Sequence, residues 1–379
     1  MPADSQMPLE KLLVARIRER GPITFADYMA ECLYHPQHGY YSRAESQRFA
    51  DYYTSVDVHP IFGRLLARQL AEMWGRCGRP ADFMVVEAGA GVGRLAAHVL
   101  DFAARALPEF YAAMRYTAVE QSAARRAAQP SVLAAHIAGG RAIAAAGLPD
   151  SIPAGCIFSN ELLDALPVHR LFCEHGELRE IHVGVNGDLL CDQVGPLSSP
   201  LLEKYLSEQG IALLEGQQAE ASLAAAAWME DAARRLGRGF ILTIDYGREA
   251  RELYDERHLR GTLLAYTRHR AGEDFYAAPG EQDLTAHVNF TALDHAAARA
   301  GCSRAGLESQ SSFLLALGRA NEFADLYDPA ERGQSEAERI RARLLLKTLI
   351  FPEGMGEAFS VLIHSKGISD TSLTGLAPL

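Results

Sequence analysis

Paired cysteines are missing from this chain. The six cysteines, at 32, 77, 156, 173, 191 and 302, never form Cys-x-x-Cys, and no His/Cys spacing matches a zinc site. Neither a disulfide framework nor a metal centre is expected, and buried thiols in a reducing cytoplasm are. Basic charge is also scarce: 37 Lys and Arg stand against 48 Asp and Glu, a formal net charge of −11. Nucleic-acid binding needs clustered Lys and Arg to displace counterions, so no nucleic-acid partner is expected. The acid excess suits a cationic substrate. No apolar stretch is long enough to cross a bilayer. The start, Met-Pro-Ala-Asp-Ser-Gln, has no basic residues followed by an apolar run, so neither a signal peptide nor membrane insertion is expected. Internal repeats are absent too.

What is present begins with size. The chain has 379 residues, 48% of them hydrophobic, enough for one large α/β domain with insertions or two modest domains. Residues 84–95 read Met-Val-Val-Glu-Ala-Gly-Ala-Gly-Val-Gly-Arg-Leu. An apolar run ends in Glu87, Gly89, Gly91 and Gly93 follow at alternate positions, and a helical stripe of Leu95, Val99, Leu100 and Phe102 comes next. Strand, glycine turn and helix in that order describe the first βα unit of a nucleotide-binding domain. A dinucleotide fingerprint counted from Gly89 would need a third glycine where Arg94 stands, and no Gly-Lys-Ser/Thr follows, so neither NAD nor a P-loop fits. The residues alone also allow a plain structural turn. A second observation points to a ligand: Tyr116-Thr-Ala-Val-Glu120 reads as the next strand, ending in an acid able to accept both hydroxyls of a ribose.

Along the chain, apolar spacing predicts helices over 8–19 and 60–75 and a helical stripe of Phe25, Tyr28, Met29, Cys32 and Leu33 behind Thr24 and Asp27. Residues 1–78 read as an N-terminal helical cap and 79–366 as the nucleotide domain. Insertions fall at about 166–215 and 310–352, and 367–379 reads as a flexible tail. Strands are expected at 156–160, 240–244, 303–309 and 359–363, and a β insertion from the alternation in 168–172 and 181–185. An Ala-rich helix is expected over roughly 216–236, and another over 290–300.

The order of several motifs resembles the MidA family of S-adenosylmethionine (SAM) methyltransferase-like proteins. They are Gly21-Pro22-Ile23-Thr24, His38-Gly39-Tyr40-Tyr41, Asp51-x-Tyr53-Thr54-Ser55, Glu87-x-Gly89-x-Gly91-x-Gly93, Asn160-Glu161-Leu162-Leu163-Asp164-Ala165-Leu166-Pro167, Asp245-Tyr246-Gly247 and Gln282-Asp283-Leu284-Thr285-Ala286-His287-Val288. The resemblance spans roughly residues 10–366. The chain departs from it after Thr54-Ser55, where the family often has Pro-Glu and this sequence has Val56-Asp57. The resemblance implies a class I SAM-dependent methyltransferase fold: a Rossmann-like, seven-stranded, mostly parallel sheet with a helical cap and a β insertion. It implies SAM as cofactor, with Glu87, Gly89, Gly91, Gly93, Glu120, Thr54 and Asn160 at its site. Mitochondrial members are complex I assembly factors that dimethylate an arginine of a core subunit. That implies a protein client, a complex I subunit among the candidates, with a homodimer compatible.

Glu161 and Asp164 follow a strand end and would share a face on a helical turn. In this reading Glu161 binds a guanidinium and Asp164 assists or orients it. The other reading is a structural Glu161 and an Asp164 that caps the turn. Asn160-Glu161-Leu162-Leu163 also differs from the Asn/Asp-Pro-Pro-Tyr of amide methyltransferases. His169, His287, Asp245 and Tyr246 each allow a place in the cleft or a structural one. A silent assembly chaperone, a small-molecule methyltransferase and, least favoured because Arg94 takes the third glycine position, an NAD-binding oxidoreductase are the competing functions.

Overall fold

The computed structural model describes residues 8–42, 60–267, 270–326, 358–378 and scattered positions between 335 and 356. In chain order the strands are β1 Ile23–Thr24, β2 Phe83–Ala88, β3 Met114–Val119, β4 Ala142–Ala145, β5 Gly155–Asn160, β6 His169–Glu174, β7 Glu177–Asn186 and β8 Leu189–Gly195. They continue as β9 Gln218–Ala221, β10 Gly239–Arg248, β11 Leu264–Thr267, β12 Arg270–Gly272, β13 Asp283–Thr285, β14 Val288–Asn289, β15 Ser303–Ser309 and β16 Phe359–Lys366. The chain divides into two units. One comprises Met1–Tyr52, Leu163–Met229 and Gly247–Ala296; the other comprises Tyr53–Leu162, Glu230–Tyr246 and Ala297–Leu379.

The second unit holds a seven-stranded run ordered β15-β16-β10-β5-β2-β3-β4. β10, β5, β2, β3 and β4 are parallel, while β16 runs antiparallel to both β10 and β15. This is the expected class I methyltransferase sheet. Its central strands are apolar on both faces, as Val85, Val86, Cys156, Ile157, Ile241 and Leu242 are all fully buried. The helices Ile61–Arg76 and Arg94–Ala106 lay Phe62, Leu66, Leu70, Leu95, Val99 and Leu100 into the same core. Sequence order leaves β2 for β3 and β4 on one side and returns to β5 on the other. The reversal falls between β2 and β5, and ligands of such sheets bind at the carboxyl ends there.

The first unit contains a five-stranded sheet, β1-β7-β6-β9 with β8 on β7, and a three-stranded sheet, β12-β11-β13. The expected hairpin of β6 and β7 turns at His175 and Gly176, both with positive φ. Thr24 Oγ1 accepts from Asp27 N–H, so the helix Phe25–Tyr34 starts where its cap signal predicts and buries the whole expected stripe. All six cysteines carry free thiols, five of them buried.

Three expectations change. The 1–78 segment is not one cap: Ile23-Thr24 pairs with Val183 and His182 of β7, whereas the helix Ile61–Arg76 packs in the core of the long sheet. The expected helix over 216–236 begins only at Leu223, because Gln218–Ala221 hydrogen-bonds to β6 as β9. The expected tail of 367–379 is not loose over its described residues, 367–378. Leu373 is buried in the sheet core, and Gly375 N–H donates to Gln69 Oε1 at 3.0 Å.

Arg170 holds the first unit together. Its guanidinium lies 5.2 Å from the ring centroids of both Phe25 and Phe275 and donates twice to Asp192, at 2.6 and 3.0 Å. A lysine keeps the charge but loses the planar stack and the two-pronged bond. Arg170→Lys is expected to lower unfolding free energy by about 1–3 kcal/mol, from the lost charge-assisted bond and stacking, in urea titration. An unchanged midpoint would contradict this role.

Candidate active site

Every glycine of the turn after β2 has positive φ: +77° at Gly89, +55° at Gly91 and +91° at Gly93. Left-handed backbone of this kind excludes most side chains. A Cβ built on Gly91 meets no atom within 4 Å, so the space over that residue is open. The loop is tied to the next βα unit. Gly91 N–H donates to Glu120 Oε2 at 2.9 Å, and Ser122 N–H donates to Glu120 Oε1 at 2.7 Å. Each carboxylate oxygen has a second lone pair, so Glu120 retains the capacity to accept two hydroxyls. Arg126 Nη1 donates to the main-chain oxygens of Glu120 and Gln121, which sets the turn that carries this acid.

Glu87 stands near the end of β2, two residues before the glycine turn and close enough to Glu120 for the two charges to interact. It is almost fully buried, and Tyr116 Oη donates to its Oε2 at 2.6 Å. Burial pushes its carboxyl up to about 7, with the Tyr116 bond opposing and the Glu120 charge adding to the shift. Through the Tyr116 bond Glu87 braces β2 against β3.

At the end of β5, Asn160 Nδ2 donates to Glu161 Oε1 at 3.1 Å, while Asn160 Oδ1 is buried with no hydrogen-bond partner among the described residues. Glu161 adopts φ +53°, a left-handed conformation that costs a non-glycine residue free energy and that functional sites commonly retain. Its N–H donates to Ile244 O at 3.0 Å. Asp245, fully buried on the neighbouring strand β10, accepts from Leu162 N–H at 3.2 Å and from Tyr246 N–H at 2.9 Å. Leu162 in turn packs on the glycine turn, its Cδ1 3.1 Å from where a Cβ on Gly89 would lie. The second unit thus brings together Gly89, Gly91, Gly93, Glu120, Asn160 and Glu161.

The expected helical turn joining Glu161 to Asp164 does not form. The left-handed Glu161 ends any helical register, and the next turn is closed by Leu166 N–H on Leu163 O. Asp164 is buried in the first unit, where its carbonyl accepts from Ala286 N–H at 3.0 Å. Thr54 lies outside the described residues. His169 Nδ1 is 2.7 Å from the fully buried Glu180, and burial pushes His287 down to about 4, so both have structural settings. Tyr116 and Gln129 were not singled out in the sequence. Tyr116 stands in the strand quoted for Glu120, and Gln129 lies nine residues beyond that acid. Ser122 could have been found, since a serine two residues past a strand-end acid is a helix-cap signal, and its side chain accepts from Arg125 N–H.

The residues fit S-adenosylmethionine: a turn with open space where a side chain would sit, an acid with spare lone pairs for a ribose, and at Asn160 a buried acceptor with no donor among the described residues. Fold and site define a class I methyltransferase. A family model described as "Putative S-adenosyl-L-methionine-dependent methyltransferase" matches residues 65–308. The chain superposes with TM-score 0.86 on a COG1565 superfamily member from Burkholderia thailandensis bound to S-adenosyl-homocysteine, at 32% identity over 97% of this chain and 94% of that one. It is 29% identical to the Drosophila melanogaster mitochondrial protein arginine methyltransferase NDUFAF7 homolog, over 95% of this chain and 85% of that protein. It is 27% identical to the human protein arginine methyltransferase NDUFAF7, over 95% and 84%. The chain belongs to this family of S-adenosylmethionine-dependent methyltransferases, the MidA type that its motifs resemble, and S-adenosylmethionine is its cofactor.

Two measurements check this geometry. A carboxyl whose folded value is raised stabilises the fold below its unfolded value and loses that contribution as pH rises through the folded one. For Glu87 the window runs from about 4.5 to about 7. Relative to Glu87→Gln, wild-type stability should fall by roughly 3 kcal/mol between pH 4.5 and 8; a pH-independent difference would contradict the buried acid. Gly91→Ala adds a methyl that meets no protein atom within 4 Å but stands on left-handed backbone; a tenfold or greater loss of S-adenosylhomocysteine affinity in calorimetry, with the ligand-free thermal midpoint nearly unchanged, would report the ligand, and unchanged affinity would place the ligand elsewhere.

Proposed function

We propose that the protein methylates a nitrogen of an arginine side chain on a protein client. Bound S-adenosylmethionine supplies an electrophilic methyl group on a sulfonium. The glycine turn of residues 89–93 carries the methionine part, Glu120 accepts from the ribose, and Asn160 Oδ1 accepts from the ammonium. The observation that carries the reading is Glu161, a carboxylate held in left-handed backbone by Ile244 O and Asn160 Nδ2, with Leu162 beside it packed on Gly89.

A guanidinium is a poor nucleophile while fully protonated. A fixed carboxylate binds it through paired charge-assisted hydrogen bonds, orients one nitrogen and takes up the proton which that nitrogen loses on methylation. Glu161 is the residue we assign to this work, and the Asn160 bond sets the rotation of its carboxylate. Asp245 holds the neighbouring main chain through Leu162 N–H and is a positioning residue. The arginine assignment is supported by the named activity of the curated relatives. A subunit of a complex I type respiratory enzyme is the client that the family resemblance suggests.

The test is methyl-label transfer from S-adenosylmethionine into lysate of a strain lacking the gene, followed by identification of the modified residue. Label in methylarginine of one protein is expected, falling about a hundredfold with Glu161→Gln while S-adenosylhomocysteine affinity stays within about twofold. Label in a free metabolite, or full activity of the variant, would contradict the proposal.

A further inference from the structure

Gln129 lies beneath the glycine turn, against Gly91 and Gly93. It opens the short helix Gln129–Val132 and is fully buried. Its Nε2 donates to the carbonyl of Gly91 at 2.8 Å, across 38 residues of chain. Its Cγ lies 3.6 Å from where a Cβ on Gly93 would be, with Leu133 Cδ1 at 3.4 Å, so the side chain is packed under the loop. Its Oε1 is buried with no hydrogen-bond partner among the described residues. For packing alone this is a poor choice. A methionine would fill similar space without burying an unsatisfied amide oxygen.

The geometry points to a positioning role: we infer that Gln129 sets the orientation of the Gly91–Val92 peptide for cofactor binding. Gly91 is gripped on both sides, its N–H by Glu120 at 2.9 Å and its carbonyl by Gln129 at 2.8 Å. A trans peptide is planar, with its C=O and the next N–H pointing in opposite directions. With the Gly91 carbonyl drawn down onto Gln129, the Val92 N–H is aimed away from Gln129 and becomes a fixed donor. Without the amide, a left-handed glycine is free to swing that plane, and the ligand must then bear the ordering cost. This inference rests on the glycine turn being the cofactor site.

The experiment uses the full-length protein and S-adenosylhomocysteine, with affinity by calorimetry and ligand-free thermal midpoint as paired readouts. Gln129→Met is expected to bind about tenfold more weakly with its ligand-free midpoint nearly unchanged. Gln129→Glu presents an acceptor to an acceptor at pH 8 and is expected to bind at least as weakly. As pH falls through the carboxyl's titration its protonated form can donate to Gly91 O, so affinity should recover. Glu87 and Glu120 are the carboxyls nearby, and Arg125 and Arg126 stand on the preceding turn; Gln129→Met, measured over the same range, carries all four and should show no such recovery. A merely space-filling Gln129 would give no pH-dependent rescue. If Gln129→Met does not fold, Gln129→Glu against pH carries the test alone. Wild-type affinity in whichever variant folds, with Gly91→Ala weakened, overturns the inference and leaves the cofactor site standing. Wild-type affinity in Gly91→Ala as well removes both.

Discussion

The hydrogen bond from Gly91 N–H to the Glu120 carboxylate is the constraint on which the site depends. It joins the loop after β2 to the end of β3, two points separated by 29 residues of chain. It also commits one lone pair of an acid while leaving others for a ligand. A turn of three left-handed glycines has little conformational preference of its own. Its shape is imposed by what holds it, and Glu120 is the charged part of that hold. The rest of the second unit can be described as the means of keeping β2, β3 and β5 in parallel register, so that Glu120, the glycine turn and Glu161 emerge at the same edge.

Acids at this edge are used in four different ways, and their surroundings decide which. Glu87 is buried with a tyrosine hydroxyl and raised towards neutrality, so it braces the sheet. Asp245 is buried but surrounded by main-chain N–H donors at Leu162 and Tyr246, and it positions backbone. Glu120 and Glu161 lie at strand ends. One accepts two main-chain N–H groups and the other is bonded by an asparagine amide and carried on a left-handed residue. The same functional group thus serves as brace, positioner, ligand acceptor and proposed substrate clamp according to its surroundings.

Much of this was legible in the sequence where the information is local. Strand, glycines and helix from 84 to 102 are written in consecutive order, and the acid at 120 follows from the next apolar run. The cap at Thr24 and the turn at His175-Gly176 are likewise short-range signals. What could not be read depends on contacts made far along the chain. Nothing local pairs Tyr116 with Glu87 or Gln129 with Gly91. The helical turn assigned to Glu161 and Asp164 failed because the bond of Glu161 N–H to Ile244 O helps to fix a left-handed backbone there. Alanines around 219 and 221 favour helix, yet pairing with β6 makes them strand. The last residues look polar and small, but Leu373 reaches the sheet core.

The central claim is that the sulfonium cofactor lies on the turn of residues 89–93 with its ribose on Glu120. The most direct test is a crystal structure of the full chain with S-adenosylhomocysteine. The account predicts both ribose hydroxyls within hydrogen-bond reach of the Glu120 carboxylate and the homocysteine part over Gly91. A nucleoside bound away from that turn, or a Glu120 that contacts only Gly91 and Ser122 while the ligand sits elsewhere, would contradict it.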